Sequence, residues 1–85
     1  MTTRTRTEFD PRPRIRRRQG VAIRRARERR GMTMDELART IGVTVGAISQ
    51  WETGRFSPRQ HHQVALACAL GVPWSSLFGL DHEHA

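Results

Sequence analysis

An all-α domain of five short helices is predicted from three features of the chain. Apolar side chains recur three, four and seven residues apart in the segments after residue 19. Residues of helix-capping type open these segments and glycines close them. No hairpin signal competes, because alternating runs joined by a two-residue Gly-containing turn are missing. One stretch, GVTVGAISQWETGR at residues 42–55, reads at first as an exception. Val43, Thr44 and Val45 open it like a strand, and Trp51 stands between an amide and a carboxylate. Placed on a helix, Ala47, Ile48 and Trp51 share one face, while Val45, Gly46, Ser49 and Gln50 take the other flanks. Trp51 is then a core anchor, and its polar neighbours belong to the outside of the same helix.

Each element has its own reason. Residues 1–18 have no apolar period, two prolines two apart and a dense arginine run, so they are expected to form a disordered basic arm. From Gln19 the pattern is helical, with Ile23, Ala26, Arg27 and Arg30 at i, i+3, i+4 and i+7 and Gly31 as the stop. Thr33 and Glu36 have capping-box spacing and open a second helix carrying Leu37, Ala38 and Ile41, closed by Gly42. Thr44 is the expected N-cap of a third helix that runs to Gly54 (residues 44–53). Ser57-Pro58 is expected to open a fourth by cap-then-proline logic, with Leu66, Ala67 and Leu70 as its stripe and Gly71 as its stop. Pro73 should begin a short fifth helix with Trp74, Leu77 and Phe78. The folded domain is expected over residues 19–80, with a disordered tail at 81–85.

Charge narrows the partners. All 15 basic residues among the 85 are arginine, against 8 acidic ones, for a formal net charge of +7. The first thirty residues hold twelve of the arginines against Glu8, Asp10 and Glu28, while the remainder is slightly acidic. A basic arm on a near-neutral domain points to a polyanion, with nucleic acid ahead of an acidic membrane surface. One cysteine permits no internal disulfide, and Cys68, inside the apolar run 64–70, is expected to be a small core residue. No apolar stretch of about 18 residues or signal-peptide core is visible, so a cytoplasmic protein is expected.

A small Ala38 that lets another helix approach, and a Gly42 that permits positive φ at the corner, suit two helices at a steep angle. That is the helix-turn-helix, whose second helix enters the major groove. Residues 23–78 resemble the Xre/Cro-like, phage-repressor type of helix-turn-helix domain. The likeness rests on Ile23, Arg27, Arg30, Gly31, Thr33, Glu36, Leu37, Ala38, Gly42, Ile48, Trp51, Glu52, Gly54, Pro58, Leu66, Ala67, Leu70-Gly71-Val72 and Trp74. The resemblance implies a compact five-helix, lambda-repressor-like DNA-binding domain. It implies base reading by Thr44, Val45, Gly46, Ser49 and Gln50, and phosphate contact at Thr33, Met34 and Arg55. Arg59 and the arm residues Arg16, Arg17 and Arg18 join the expected phosphate set. Arg27 and Glu52 match a pair that forms a buried, structural ion pair in several relatives. The chain departs from the pattern at Val45 and Gly46, where some relatives have long polar readers. Gln50 is thereby left as the one bidentate reader, suited to adenine. Met34 stands where a polar residue is frequent, and Gln63, with Gln60, where the family usually has apolar residues.

Other chemistry finds little support in the residues. His61-His62 and His82-Glu83-His84 invite a metal, but adjacent helical side chains point about 100° apart, so His61 and His62 cannot both ligate easily. The tail pair is expected to be disordered, so no metal site is expected. No nucleophile with a positioned base, and no carboxylate pair, suggests an enzyme. No cofactor is expected. The expected function is sequence-specific DNA binding by a transcriptional regulator, a repressor acting as a homodimer on a palindromic or direct-repeat site. An antitoxin-like component, with a protein partner and autoregulatory DNA binding, is the alternative, and an adaptor that kept the fold but lost base readout at Val45 and Gly46 is the third reading.

Overall fold

The computed structural model describes residues 10–79. Five helices follow in order: α1 (Arg12–Arg29), α2 (Met34–Ile41), α3 (Val45–Glu52), α4 (Gln60–Leu70) and α5 (Trp74–Phe78). Each contributes one fully buried aliphatic side chain to a common centre, namely Ile23, Leu37, Ile48, Leu66 and Leu77, all at most 1% exposed. Ala26, Ala38, Trp51, Ala67, Leu70 and Phe78 complete that core. α3 packs against α1 and α2, while α5 closes the other side against α1 and α4.

The helix starts and stops follow local chemistry. Thr33 Oγ1 accepts the Glu36 amide at 3.0 Å, and the Glu36 carboxylate accepts the Thr33 amide at 2.8 Å. Thr44 Oγ1 accepts the Ala47 amide at 3.0 Å and so opens α3. Between these two helices Gly42 adopts φ +77°, a left-handed corner that a β-carbon would strain. α1 ends in paired bonds, Gly31 N–H to the Glu28 carbonyl and Met32 N–H to the Arg27 carbonyl. Both satisfy end carbonyls that the helix itself cannot.

Three expectations are corrected. α1 begins at Arg12, not near Gln19, so residues 12–18 of the expected disordered arm are helical. Pro11 and Pro13 sit at the helix start, where a missing N–H costs nothing because no intrahelical acceptor exists for it. Asp10 supports the start by accepting the Arg12 amide and guanidinium at 3.0 Å each. α4 is not capped by Ser57: Arg59 precedes its first turn, and Ser57 Oγ instead donates to Gln19 Oε1 at 2.9 Å. Cys68 is exposed rather than buried, because Leu66, Ala67 and Leu70 take the inward face of α4. The remainder of the arm, residues 1–9, and the tail at 81–85 lie outside the described residues. No helix among the described residues is long and apolar enough to cross a membrane.

Candidate nucleic-acid interface

α3 divides cleanly into two faces. Ile48 and Trp51 are 0% and 7% exposed and anchor it to the core. Val45, at 40%, lies on the open side with Gly46 and Gln50, while Ser49 is half-buried at the flank. Thr44, exposed at the N-cap, has its hydroxyl oxygen engaged by the Ala47 amide. A β-carbon at Gly46 would meet only Thr44 Oγ1, at 3.7 Å, so the fold leaves open space there. The five expected base-reading residues therefore form one continuous strip along the N-terminal turn and outer side of α3.

The mount of this strip is rigid. Arg27 Nε donates to Glu52 Oε2 at 2.6 Å and Nη2 donates to Oε1 at 3.1 Å, with the two side chains 11% and 6% exposed. Nη1 of the same guanidinium donates to the Met32 carbonyl at 2.8 Å. One side chain thus ties α1, the α1–α2 turn and the last residue of α3. The hydrogen bonds that Arg27 donates to Glu52 hold its guanidinium further above its already high ordinary pKa, so it stays charged. A bidentate, hydrogen-bonded pair is the geometry in which a buried charge is tolerated. Gly20 makes the second tie. A β-carbon at that position would lie 2.4 Å from the Glu52 carbonyl oxygen and 2.5 Å from that of Trp51, so α1 and α3 touch backbone to backbone.

The expected phosphate residues do not all fall together. Thr33 is exposed at the start of α2, whereas Met34 is half-buried and packs on the core. Arg55 is exposed in the loop after α3, its amide donating to the Gln50 carbonyl at 2.9 Å. Arg59 is exposed at the N-cap of α4. Arg16, Arg17 and Arg18 occupy successive positions of α1, roughly 100° apart, so they cannot meet one strand side by side as a flexible run could. Arg16 is half-buried and its Nε donates to the Gly54 carbonyl at 3.1 Å. Arg17 is exposed, with its backbone against Gly54, and Arg18 is half-buried.

Gly20 is the one contributing residue that the sequence analysis does not single out. Because the helix starts at Arg12, Gly20 lies in its interior, where a glycine signals close helix approach. Gln63 resolves its own oddity: it donates to the Pro58 carbonyl at 3.1 Å and accepts Trp74 Nε1–H at 2.9 Å, joining α4 to α5. Trp74 is nonetheless 41% exposed. The His62 ring packs at a tilt against both Trp51 and His61, with ring centroids 5.2 Å and 4.1 Å away. Burial, the His61 charge and the Arg59 charge, in that order, push the His62 pKa down. Among the described residues no cluster of three His, Cys, Asp or Glu side chains could hold a metal ion.

With this geometry established, the chain compares with known proteins as follows. A helix-turn-helix family model matches residues 23–77. A comparison with curated protein sequences gives no match. Among solved structures, the chain is similar to the clp gene regulator ClgR from C. glutamicum, with a TM-score of 0.70 and 30% identity. That match covers 74% of this chain and 82% of the other. A capped α2, a left-handed Gly42 corner, and an α3 anchored on one side and open on the other are therefore found where the family model lies, and the chain belongs to the Xre/Cro-like helix-turn-helix family of DNA-binding transcription regulators.

Proposed function

We propose that this chain recognises a specific DNA sequence by placing α3 in the major groove and represses transcription by occupying its site. The observation that carries the reading is the division of α3, with Ile48 and Trp51 in the core and Val45, Gly46, Ser49 and Gln50 on the outer strip. A recognition helix must be held rigidly by one face so that the other can present side chains to base edges. Gln50 is the bidentate reader, its amide matching adenine N6 and N7, and Val45 meets a thymine methyl group. Gly46 lets the backbone come close to the groove wall. Thr33 and Arg55 flank the strip and hold phosphates on either side, with Arg59 beyond. Such contacts set register and affinity without reading sequence. Such a role places the protein in the cytoplasm.

Selection from random duplexes, followed by titration of Gln50→Ala against the selected site, tests the assignment. The variant is expected to lose about 1–3 kcal/mol on the selected duplex and almost nothing on random DNA. Equal losses on both would remove Gln50 from the readers. We further propose that the protein binds as a homodimer, supported by the exposed Val64, Cys68 and Trp74 beside the α4–α5 junction. The same apolar strip supports the second reading, an antitoxin-like protein that binds an unrelated partner there. Sedimentation of the purified chain separates the two: a concentration-dependent dimer favours self-association, and a strict monomer favours a foreign partner.

A further inference from the structure

One exposed aromatic has no role in base reading or in the core. Phe56 is 56% exposed, more than any other large hydrophobic residue that stands out at the surface. Its backbone is nonetheless held from two sides. Its amide and that of Arg55 both donate to the Gln50 carbonyl, at 3.3 and 2.9 Å, so the loop continues directly from the last turn of α3. From the other side the first turns of α1 clamp the loop. Arg16 Nε holds the Gly54 carbonyl at 3.1 Å, and Ser57 Oγ holds Gln19 Oε1 at 2.9 Å. Gly54, at φ +79°, lies so near Arg17 that a β-carbon would come within 2.7 Å of Arg17 Cγ.

These contacts leave a cleft lined by Arg12, Ile15, Arg16, Phe56 and Ser57. Its apolar surface comes from Phe56 and Ile15, and its rim from arginine. Arg12 is paired bidentately with Asp10, whose carboxylate also feels the charge of Arg16, so two arginines face one carboxylate and the cleft keeps a net positive charge, with Arg55 next to Phe56 in the chain. An apolar ring beside a net positive charge matches a ligand with an apolar face and an anion in one repeating unit. A DNA strand has that chemistry, since each deoxyribose offers a non-polar face and each linkage a phosphate. The cleft also adjoins the end of α3, so a strand beside the groove that α3 enters lies within reach.

We infer that this cleft seats a sugar–phosphate unit of the bound DNA, with the phosphate toward Arg16 and the deoxyribose against the Phe56 ring. The inference rests on the DNA-binding reading above, and its signature differs from that of a phosphate contact. An apolar contact releases no counterions, so it adds affinity without adding salt dependence. Phe56→Ala should weaken binding about ten-fold on the selected duplex and on random duplex alike, with the slope of log K against log salt unchanged. Arg55→Gln, in contrast, should lower that slope by about 0.9. Hydroxyl-radical footprinting reads deoxyribose exposure directly. The wild-type protein should protect one or two sugars beside the α3 footprint, and Phe56→Ala should lose that protection. Phe56→Leu, which keeps apolar bulk, should fall between the two, and the thermal midpoints of both variants should match wild type. Wild-type affinity and footprint in Phe56→Ala would overturn the inference while leaving the DNA reading intact. A fall in salt slope in Phe56→Ala would also overturn it, since the ring would then act by placing Arg55. Failure of the wild-type protein to bind any duplex would instead strike the DNA reading itself.

Discussion

At Arg27 a single guanidinium joins three segments of the chain, and its partner Glu52 is the last residue of the helix proposed to read DNA. Replacing it by methionine keeps the bulk but leaves Glu52, 6% exposed, without its cation. The expected cost is about 3–5 kcal/mol, comparable to the whole stability of a small domain, so Arg27→Met should be largely unfolded. Urea denaturation followed by circular dichroism checks this, and a cost below about 1 kcal/mol would show the pair to be dispensable. His62 gives a prediction in pH. Its pKa in the fold is pushed below the ordinary value of about 6.5, chiefly by burial, then by His61 and Arg59. The unfolded chain therefore takes up the proton first as the medium acidifies. The contribution to stability is fully present above pH of about 6.5 and is lost as pH falls toward the depressed pKa. The melting temperature should drop between pH 7.5 and 5.5, by less in His62→Gln. An equal drop in both proteins would assign the effect to other groups.

Two glycines in helices separate packing from groove contact at the level of the element. Alanine in a helix interior is favoured over glycine by about 1 kcal/mol, so both substitutions would stabilise the helix in isolation. At Gly20 the new β-carbon would sit 2.4 Å from a backbone oxygen of α3, which no rotamer can relieve. Overpacking of this kind costs about 1–3 kcal/mol, so Gly20→Ala should be net destabilised and should shift α3. At Gly46 the nearest obstacle is 3.7 Å away, and Gly46→Ala should melt slightly higher than wild type. If α3 lies in the major groove with Gly46 against its wall, the same variant should bind the selected duplex less tightly. Higher stability with unchanged affinity would move Gly46 away from the DNA.

For the whole molecule, charge and fold are distributed differently. Twelve of the fifteen arginines precede Gly31, yet the reading strip lies on a helix from the near-neutral part. The helical start at Arg12 divides the basic region into two parts with different expected roles. Removing residues 1–9 takes away Arg4 and Arg6 as its only arginines, leaves the Asp10 and Pro11 start of α1 in place, and should lower the salt slope by at most about two units. Removing residues 1–18 takes five more arginines together with the Arg16 and Arg17 contacts to Gly54. That truncation should flatten the salt dependence by several units and also lower the melting temperature. Base preference set by α3 should survive in both. Equal stability of the two truncated proteins would show that the first turns of α1 add nothing to the fold.

What the sequence determined by itself is the local layer of the structure. Thr33 with Glu36, Thr44, Gly31 and Gly42 mark helix ends through contacts spanning a few residues, so their meaning does not depend on the rest of the fold. The placement of Ile48 and Trp51 inside, with Val45, Gly46 and Gln50 outside, follows from the helical period alone. The tertiary structure decided what the local code leaves double-valued. A proline breaks a helix interior and suits a helix start, and Pro13 is a start where Asp10 caps the turn and Arg16 and Arg17 pack on Gly54. A serine before proline can cap, but Ser57 bonds Gln19 because α1 passes beside it. In the apolar run of α4, Leu66 and Cys68 differ by 200° around the axis, and the neighbouring helices selected the first for the core. Gln63 donates to the Pro58 carbonyl just before α4, but the group that its oxygen accepts, Trp74 Nε1–H, is supplied by another helix. In each case the deciding contact is between elements, and its energy exists only once the chain has closed on itself.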